Sequence, residues 1–578
     1  MVLEGWTIPL AANMNSFLFL LFIVSLAFAS PIEPRSTTPV VTITAPAATI
    51  TGLAGDVEQF PGVPFAQKPT GSLRLKPPQP ITTTLGNYEA TSNGPACPQF
   101  LFSDNAAFNG LIPTAELGML ANTPLFQTTT HQSEDCLYMN IHRPAGTNPT
   151  SKLPVLFWIF GGAFEVGWNW MYDGVPWVQS SVDLGQPIIL ITVNYRVGGF
   201  GFLGGSEVLA DDSANLGLLD QRLGLEWVAE NIEAFGGDPT KVTIWGESAG
   251  AISVFDHMAA YDGDNTYNGQ PLFRGAIMNS GSIVPADPID CPKAQNVYNN
   301  VVSAAGCSSA SNTLECLREA DYETFLNAVN SVPFVLGYQS VAAAYVPRPD
   351  GTFLTKSPDL LVESGDFAQV PFIIGDQEDE GTLFALFQSN ITTNEELVEY
   401  FSFYLFNHAS TEQIQNLTSY YNTNTDGSPF RTGGLWNWYP QFKILAALLG
   451  DLTFTLTRRS FLDVSSRVHP DVPSWSYLSS YDYGTPILGT FHTSDLLQVF
   501  YGILPNYAAS AFRAYYITFV NQLNPNTGLD SSTYATWPQW SDGNQLLNMY
   551  PNDSQFITDD FRQEVYDFIV NNILSFYI

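Results

Sequence analysis

Ser248 lies in Gly246-Glu247-Ser248-Ala249-Gly250, directly after the strand-forming run Lys241-Val242-Thr243-Ile244-Trp245. A strand that breaks at a glycine-bounded serine can hold a hydroxyl out into a site, because any side chain at Gly246 or Gly250 would crowd so tight a strand-to-helix turn. The chemistry open to such a serine is nucleophilic attack, and it needs help from a base, an orienting acid and donors for an oxyanion. The run Val155–Phe160 ends in Gly161-Gly162-Ala163-Phe164, a glycine-rich turn able to aim N–H groups at a neighbouring strand end. Ala249 opens the helix after the serine, where its own N–H has no intrahelical partner.

The base must come from six histidines: His131, His142, His257, His408, His469 and His492. His131 and His142 flank Cys136, and His257 falls on the helix after the serine, where packing or surface is its expected place. His469 precedes Pro470 and reads as a surface turn. His492 sits in a loop, Leu488-Gly489-Thr490-Phe491-His492-Thr493-Ser494, as a loop-borne base would. For the acid, the run Val370–Gly375 passes into Asp376-Gln377-Glu378-Asp379-Glu380-Gly381-Thr382. Residue types name that segment and leave the choice among its four carboxylates open.

The elements that must position these groups are apolar runs of strand length: Val155–Phe160, Pro187–Tyr195, Lys241–Trp245, Gly275–Gly281 and Val370–Gly375. Runs apolar on both faces suit central strands covered by helices on each side. Between the second and third, Leu216–Gly237 carries leucines at helical spacing. Strand, helix, strand in this order predicts a right-handed crossover, and so an α/β fold with a large, mostly parallel twisted sheet in a single large domain. In such sheets chemistry collects at the carboxyl ends of strands. The chain order serine, acid, histidine in this class of fold leaves His408, His469 and His492 as bases. A hairpin is expected at Val40–Thr44 and Ala48–Gly52.

With 21 basic against 55 acidic residues the formal net charge is −34, which argues against binding to phosphate backbones. Phe17–Ser30 is apolar but too short to span a bilayer and ends in Ala27-Phe28-Ala29, a small-x-small cleavage pattern. Residues 1–29 are therefore expected to be a signal peptide, with Met14 an alternative start, and 30–578 the mature domain. No later run is long and apolar enough to span a membrane. Secretion suits the five cysteines, Cys97, Cys136, Cys291, Cys307 and Cys316, and the sequons at Asn390, Asn416 and Asn552.

Phe235–Gly250, FGGDPTKVTIWGESAG, resembles the serine signature of the type-B carboxylesterase/lipase family of α/β-hydrolases, which includes cholinesterases and secreted fungal lipases. Glu134–Pro144, EDCLYMNIHRP, resembles its second signature, with Met139 where another aliphatic residue is usual. The resemblance runs from about Pro39 to the carboxyl end. It implies a catalytic triad of Ser248, Glu380 and His492, with an oxyanion hole from the amides of Gly162, Ala163 and Ala249. Many members have a third glycine at the position of Ala163, whose methyl would sit against a bound acyl group. It also implies disulfides Cys97–Cys136 and Cys307–Cys316, with Cys291 left over, and no metal or cofactor. The implied activity is a secreted, extracellular serine ester hydrolase acting on small-molecule or lipid esters. Aromatic residues Phe164, Trp168 and Trp170 favour bulky apolar acyl or alcohol groups; a soluble short-chain carboxylesterase is the alternative, and a non-catalytic binding or adhesion member a remote one. The apolar stretch between Cys97 and Cys136 reads as a flap able to meet a lipid surface transiently, or as residues packed over the core.

Overall fold

The computed structural model describes residues 38–100, 120, 123–421, 423–500 and 506–578. The expected signal peptide and much of the expected flap, including Leu101, Phe102, Phe108, Leu111, Ile112, Leu117 and Met119, lie outside the described residues.

Ten strands build the main sheet: β1 (Val57–Pro64), β2 (Tyr138–Pro144), β3 (Leu153–Ile159), β4 (Ile189–Val193), β5 (Gly237–Glu247), β6 (Gly275–Asn279), β7 (Phe372–Gln377), β8 (Ser474–Ser479), β9 (Gln545–Met549) and β10 (Ser554–Thr558). Across the sheet they run β10-β9-β8-β7-β6-β5-β3-β4-β2-β1. From β4 to β9 every neighbouring pair is parallel, and only β1, β2 and β10 join antiparallel. The five runs expected as central strands are central strands. The expected hairpin is also present, pairing Val40–Thr44 with Ala47–Thr51.

Helices cover both faces. On one side lie α1 (Val175–Asp183) and α5 (Tyr507–Gln522); on the other lie α2 (Leu216–Asn231), α3 (Ala249–Gly263) and α4 (Leu456–Val468). Side chains alternate faces along a strand, so β3 sends Trp158 one way and Phe157 the other. Trp158 meets Trp245 of β5 with ring centroids 4.4 Å apart, and Trp245 meets Trp177 of α1 at 4.7 Å and Tyr516 of α5 at 5.7 Å. Phe157 faces α2, whose Gly224 is so close that an added Cβ would stand 3.3 Å from the Phe157 ring. Phe461 of α4 packs between Phe255 of α3 and Phe372 of β7. Each such aromatic pair contributes on the order of 1 kcal/mol beyond the area it buries.

Strand β8, Ser-Trp-Ser-Tyr-Leu-Ser, is fully buried despite its serines. Arg458 of α4 explains how, donating to Ser476 Oγ at 3.0 Å while it bridges Asp376 at 2.8 Å and Asp559 at 2.7 Å. A buried guanidinium held between two carboxylates leaves no charge alone in the interior. Cys97–Cys136 and Cys307–Cys316 are disulfide-bonded, and Cys291 is a buried free thiol. Asn390, Asn416 and Asn552 are all exposed. No helix among the described residues is long and apolar enough to cross a membrane.

Candidate active site

The turn from β5 into α3 puts Ser248 at φ 56° and ψ −126°, a conformation that costs an L-residue of order 1–3 kcal/mol. The surroundings enforce it. A Cβ at Gly246 would lie 2.2 Å from the Gly250 carbonyl oxygen, and one at Gly250 would lie 2.1 Å from that of Ile159. The turn is thus wedged between its own helix and the end of β3. Serine at a helix N-cap ordinarily spends its hydroxyl on an exposed amide. Ser248 occupies the N-cap of α3 but makes no such bond; its backbone N–H donates to the Asn279 carbonyl at 2.9 Å, and its hydroxyl is turned outward.

That hydroxyl is 2.7 Å from Nε2 of His492, and Nδ1 of the same ring is 2.5 Å from Oε2 of Glu380. The three residues arrive from different elements: the end of β5, the turn after β7 and the loop after β8. Glu380 is fixed by accepting from the Gln377 N–H at 2.7 Å. His492 is clasped by rings, with Phe384 at 5.0 Å and Phe454 at 4.5 Å. Its loop is tied to the acidic turn by Asp379, whose carboxylate accepts from the Thr490 N–H at 3.0 Å, from Ser428 Oγ at 2.8 Å and from the Phe430 N–H at 2.8 Å.

Burial lowers the pKa of His492 to about 3, against the pull of Asp495 and Asp376, so its resting imidazole is neutral and Nε2 can accept. Burial pushes Glu380 up to about 8, opposed by hydrogen bonds from Ser280 and the Gln377 amide. The two groups share the short Nδ1–Oε2 bond and titrate as a pair: with the proton on Nδ1 the ring is neutral, Glu380 is the carboxylate that orients it, and Nε2 is free to accept from Ser248. Beside them lie two carboxyl groups for which sequence reasoning assigned no role. Glu247 Oε1 stands 3.6 Å from His492 Nε2, and burial, then Asp495 and Glu380, raise its pKa well above normal. Asp495 accepts from Asn279 Nδ2 at 2.9 Å. The signal for both was their position, one residue before Ser248 and three after His492.

Gly161, Gly162 and Ala163 follow β3 against this elbow. A Cβ on Gly161 would meet Ser248 Cβ at 2.8 Å, and one on Gly162, at φ 121°, would meet the Val166 carbonyl oxygen at 2.2 Å. Ala163 has φ 56°. No acceptor among the described residues takes the amide protons of Gly162 or Ala163, and the N–H of Ala249 begins α3 without an intrahelical partner. Ala163, Phe164, Ser248 and Ala249 are among the residues lining an apolar cavity. Trp168 and Trp170 pack on each other at 5.2 Å and, unlike Phe164, are not among the lining residues.

The remaining histidines lie elsewhere. His257 is buried on α3, 3.0 Å from Gln221 Oε1. His142 is buried in β2, while His408 pairs with Asp287 at 2.8 Å and His469 with the Gly365 carbonyl at 2.9 Å. The His131 carbonyl accepts from the Ala96 N–H at 3.0 Å, beside the Cys97–Cys136 bridge. Of the four clustered carboxylates, Asp376 pairs with Arg458 and Glu378 with Arg431 at 2.6 Å. Asp379 clamps the histidine loop, and only Glu380 reaches the ring.

A family model described as "Carboxylesterase family" matches residues 38–569. "Secreted lipase 1" of Botryotinia fuckeliana is 66% identical over 550 residues, covering 95% of each chain. "Secreted triacylglycerol lipase LIP1" of Gibberella zeae is 54% identical, over 94% of this chain and 92% of its own. Among solved structures, Aspergillus niger EstA superposes with a TM-score of 0.77 at 29% identity, over 94% of this chain and 99% of its own.

Proposed function

The chain belongs to the carboxylesterase family and is a carboxylic ester hydrolase, and from that premise we propose a secreted lipase that works through Ser248, His492 and Glu380. The observation that carries the reading is the unbroken contact from Glu380 through His492 to a strained serine hydroxyl, at 2.5 and 2.7 Å. In the mechanism His492 Nε2 takes the proton of Ser248 Oγ as that oxygen attacks the ester carbonyl. Negative charge on the carbonyl oxygen is met by the amides of Gly162, Ala163 and Ala249. Glu380 holds the imidazole in the tautomer that accepts at Nε2 and stabilises the imidazolium. His492 then returns the proton to the departing alcohol, leaving an acyl-enzyme on Ser248. Water, deprotonated by the same imidazole, attacks the acyl carbonyl and frees the acid.

An apolar cavity opening beside Ser248 supports long acyl groups over short ones, as do relatives named as secreted and triacylglycerol lipases. Those names, with the disulfides and the exposed sequons, support an extracellular protein with residues 1–29 removed. The test is hydrolysis of 4-nitrophenyl esters from acetate to palmitate by wild type and Ser248→Ala. Wild-type turnover that rises with chain length, and loss of at least about 10⁴-fold in the variant, is the expected result. Equal rates from the two proteins would remove Ser248 from the mechanism.

A further inference from the structure

Ser248, Ile252 and Asp256 follow one another at intervals of four along the start of α3, so they share one helix face, and all three line the apolar cavity. The rest of the wall is mostly hydrocarbon, including Val284, Val346 and Pro358, with Thr453 the one other polar side chain among the described lining residues. Asp256 is 1% exposed, and neither of its carboxyl oxygens has a hydrogen-bond partner. An acid buried among apolar groups without a partner is costly to a fold, and no ion pair or hydrogen-bond network among the described residues uses it. Its place in the wall of the cavity beside Ser248 gives this unpartnered acid a ligand it could meet.

We propose that Asp256 determines acyl specificity, by pairing with a hydroxyl carried near the middle of a long acyl chain. The proposal rests on Ser248 being the nucleophile. Eight residues of helix place Asp256 about 12 Å along the axis from Ser248. An extended hydrocarbon advances about 1.25 Å per carbon, so a chain bound at Ser248 and laid along α3 meets Asp256 at about its ninth or tenth carbon. Burial alone raises the carboxyl well above the usual carboxylate range, so it stands as a neutral acid with one O–H donor and one acceptor oxygen. A hydroxyl offers the same two functions in return, and the pair satisfies both partners. An unsubstituted methylene at that depth leaves the acid as it is in the free protein.

The experiment compares kcat/KM for 4-nitrophenyl stearate with its monohydroxylated relatives bearing the hydroxyl at carbon 2, 6, 10 or 16. Wild type is expected to favour the 10-hydroxy ester over stearate by about tenfold, with the 2-, 6- and 16-hydroxy esters below stearate because apolar wall meets their hydroxyl. In Asp256→Leu the order of stearate and 10-hydroxystearate reverses; in Asp256→Asn, which keeps a donor and an acceptor, the preference survives. Folding of each variant is checked by thermal unfolding and by labelling of Ser248 with a phosphonate. A wild-type profile without a maximum at carbon 10 overturns the inference by itself, even if no variant folds. So does a 10-hydroxy preference unaltered in folded Asp256→Leu. If wild type hydrolyses no ester, including butyrate, the proposed function fails instead, and the two failures are distinct.

Discussion

Replacing Asp376, Glu378, Asp379 and Glu380 by their amides, one at a time, should separate four tasks performed by one short acidic run. In Glu380→Gln the amide faces Nδ1 of His492 across a contact now 2.5 Å long. If its NH₂ points inward, the ring must carry its proton on Nε2 and cannot accept from Ser248. If its oxygen points inward, the tautomer survives but the imidazolium loses its counter-charge. Either way kcat/KM should fall by about 10³–10⁴, or about 4–5.5 kcal/mol of barrier, with little change in stability because burial already disfavours the charged carboxyl in the folded protein. Asp379→Asn keeps one acceptor oxygen for three donors, Thr490 N–H, Ser428 Oγ and Phe430 N–H. It should lose about 2–4 kcal/mol of stability and no more than about a hundredfold in kcat/KM, through displacement of the histidine loop. In Asp376→Asn, Arg458 retains Asp559, so about 1.5–3 kcal/mol is lost and catalysis stays within about tenfold of wild type. Glu378 pairs with an Arg431 side chain that is 43% exposed, and its loss should cost under about 1 kcal/mol. Rates on 4-nitrophenyl butyrate, measured beside urea unfolding of each variant, give both quantities. If Glu380→Gln keeps a tenth of wild-type activity while Asp379→Asn loses a thousandfold, the acid has been assigned to the wrong residue.

Gly250→Ala drives a Cβ to 2.1 Å from the Ile159 carbonyl oxygen, so activity and phosphonate labelling should both collapse in any protein that still folds. Removing the Cys97–Cys136 bridge, which closes 39 residues, should cost about 4 kcal/mol, against about 3 kcal/mol for the 9-residue Cys307–Cys316 loop; urea midpoints of Cys136→Ser and Cys316→Ser check the order. Because burial holds His492 near a pKa of about 3, the acid limb of kcat/KM should lie below the ordinary histidine value of about 6.5. For stability the sign follows from which state binds more protons. Burial pushes Glu165 up to about 8, and Asp376 and Asp379 up to about 7, so between their unfolded values and these the folded state binds more protons and loses stability as pH rises. His142, His257 and His492, held at about 4, 3 and 3, act oppositely, losing stability as pH falls below about 6.5. The unfolding temperature should therefore drop between pH 6.5 and 8, where the folded carboxyls hold more protons than the unfolded histidines still bind; a flat or rising profile there would contradict the burial of those acids.

The sheet was legible where both faces of a strand are apolar, as in Val155–Phe160 and Ile189–Val193, because burial on two sides leaves a continuous hydrophobic run. It was illegible at β8, where Ser474, Ser476 and Ser479 break the apolar run, and the buried Ser476 hydroxyl is met by Arg458, which arrives from distant sequence. Strand β10 lies at the sheet edge and is largely exposed, which dilutes the pattern. At the site, Ser248 announces itself locally because its strain needs Gly246 and Gly250 in the same pentapeptide. The acid does not, since four neighbouring carboxylates have the same local chemistry and only the approach of the His492 loop distinguishes them. Asp256 was equally silent: its meaning depends on which face of α3 borders the cavity.

The aromatic cluster under the elbow has an optical consequence. Trp245, three residues before Ser248, lies parallel to Phe500 at 5.0 Å and within 4.7 Å of both Trp158 and Trp177. Indole rings this close share their excited states, so their absorption bands split and acquire rotational strength set by the angles between them. The strand that carries the nucleophile therefore contains a built-in near-ultraviolet gauge. A change in how β5 seats against β3 and α1 alters that circular dichroism signal without any added dye, and a variant that loses activity while keeping it has lost chemistry rather than the elbow.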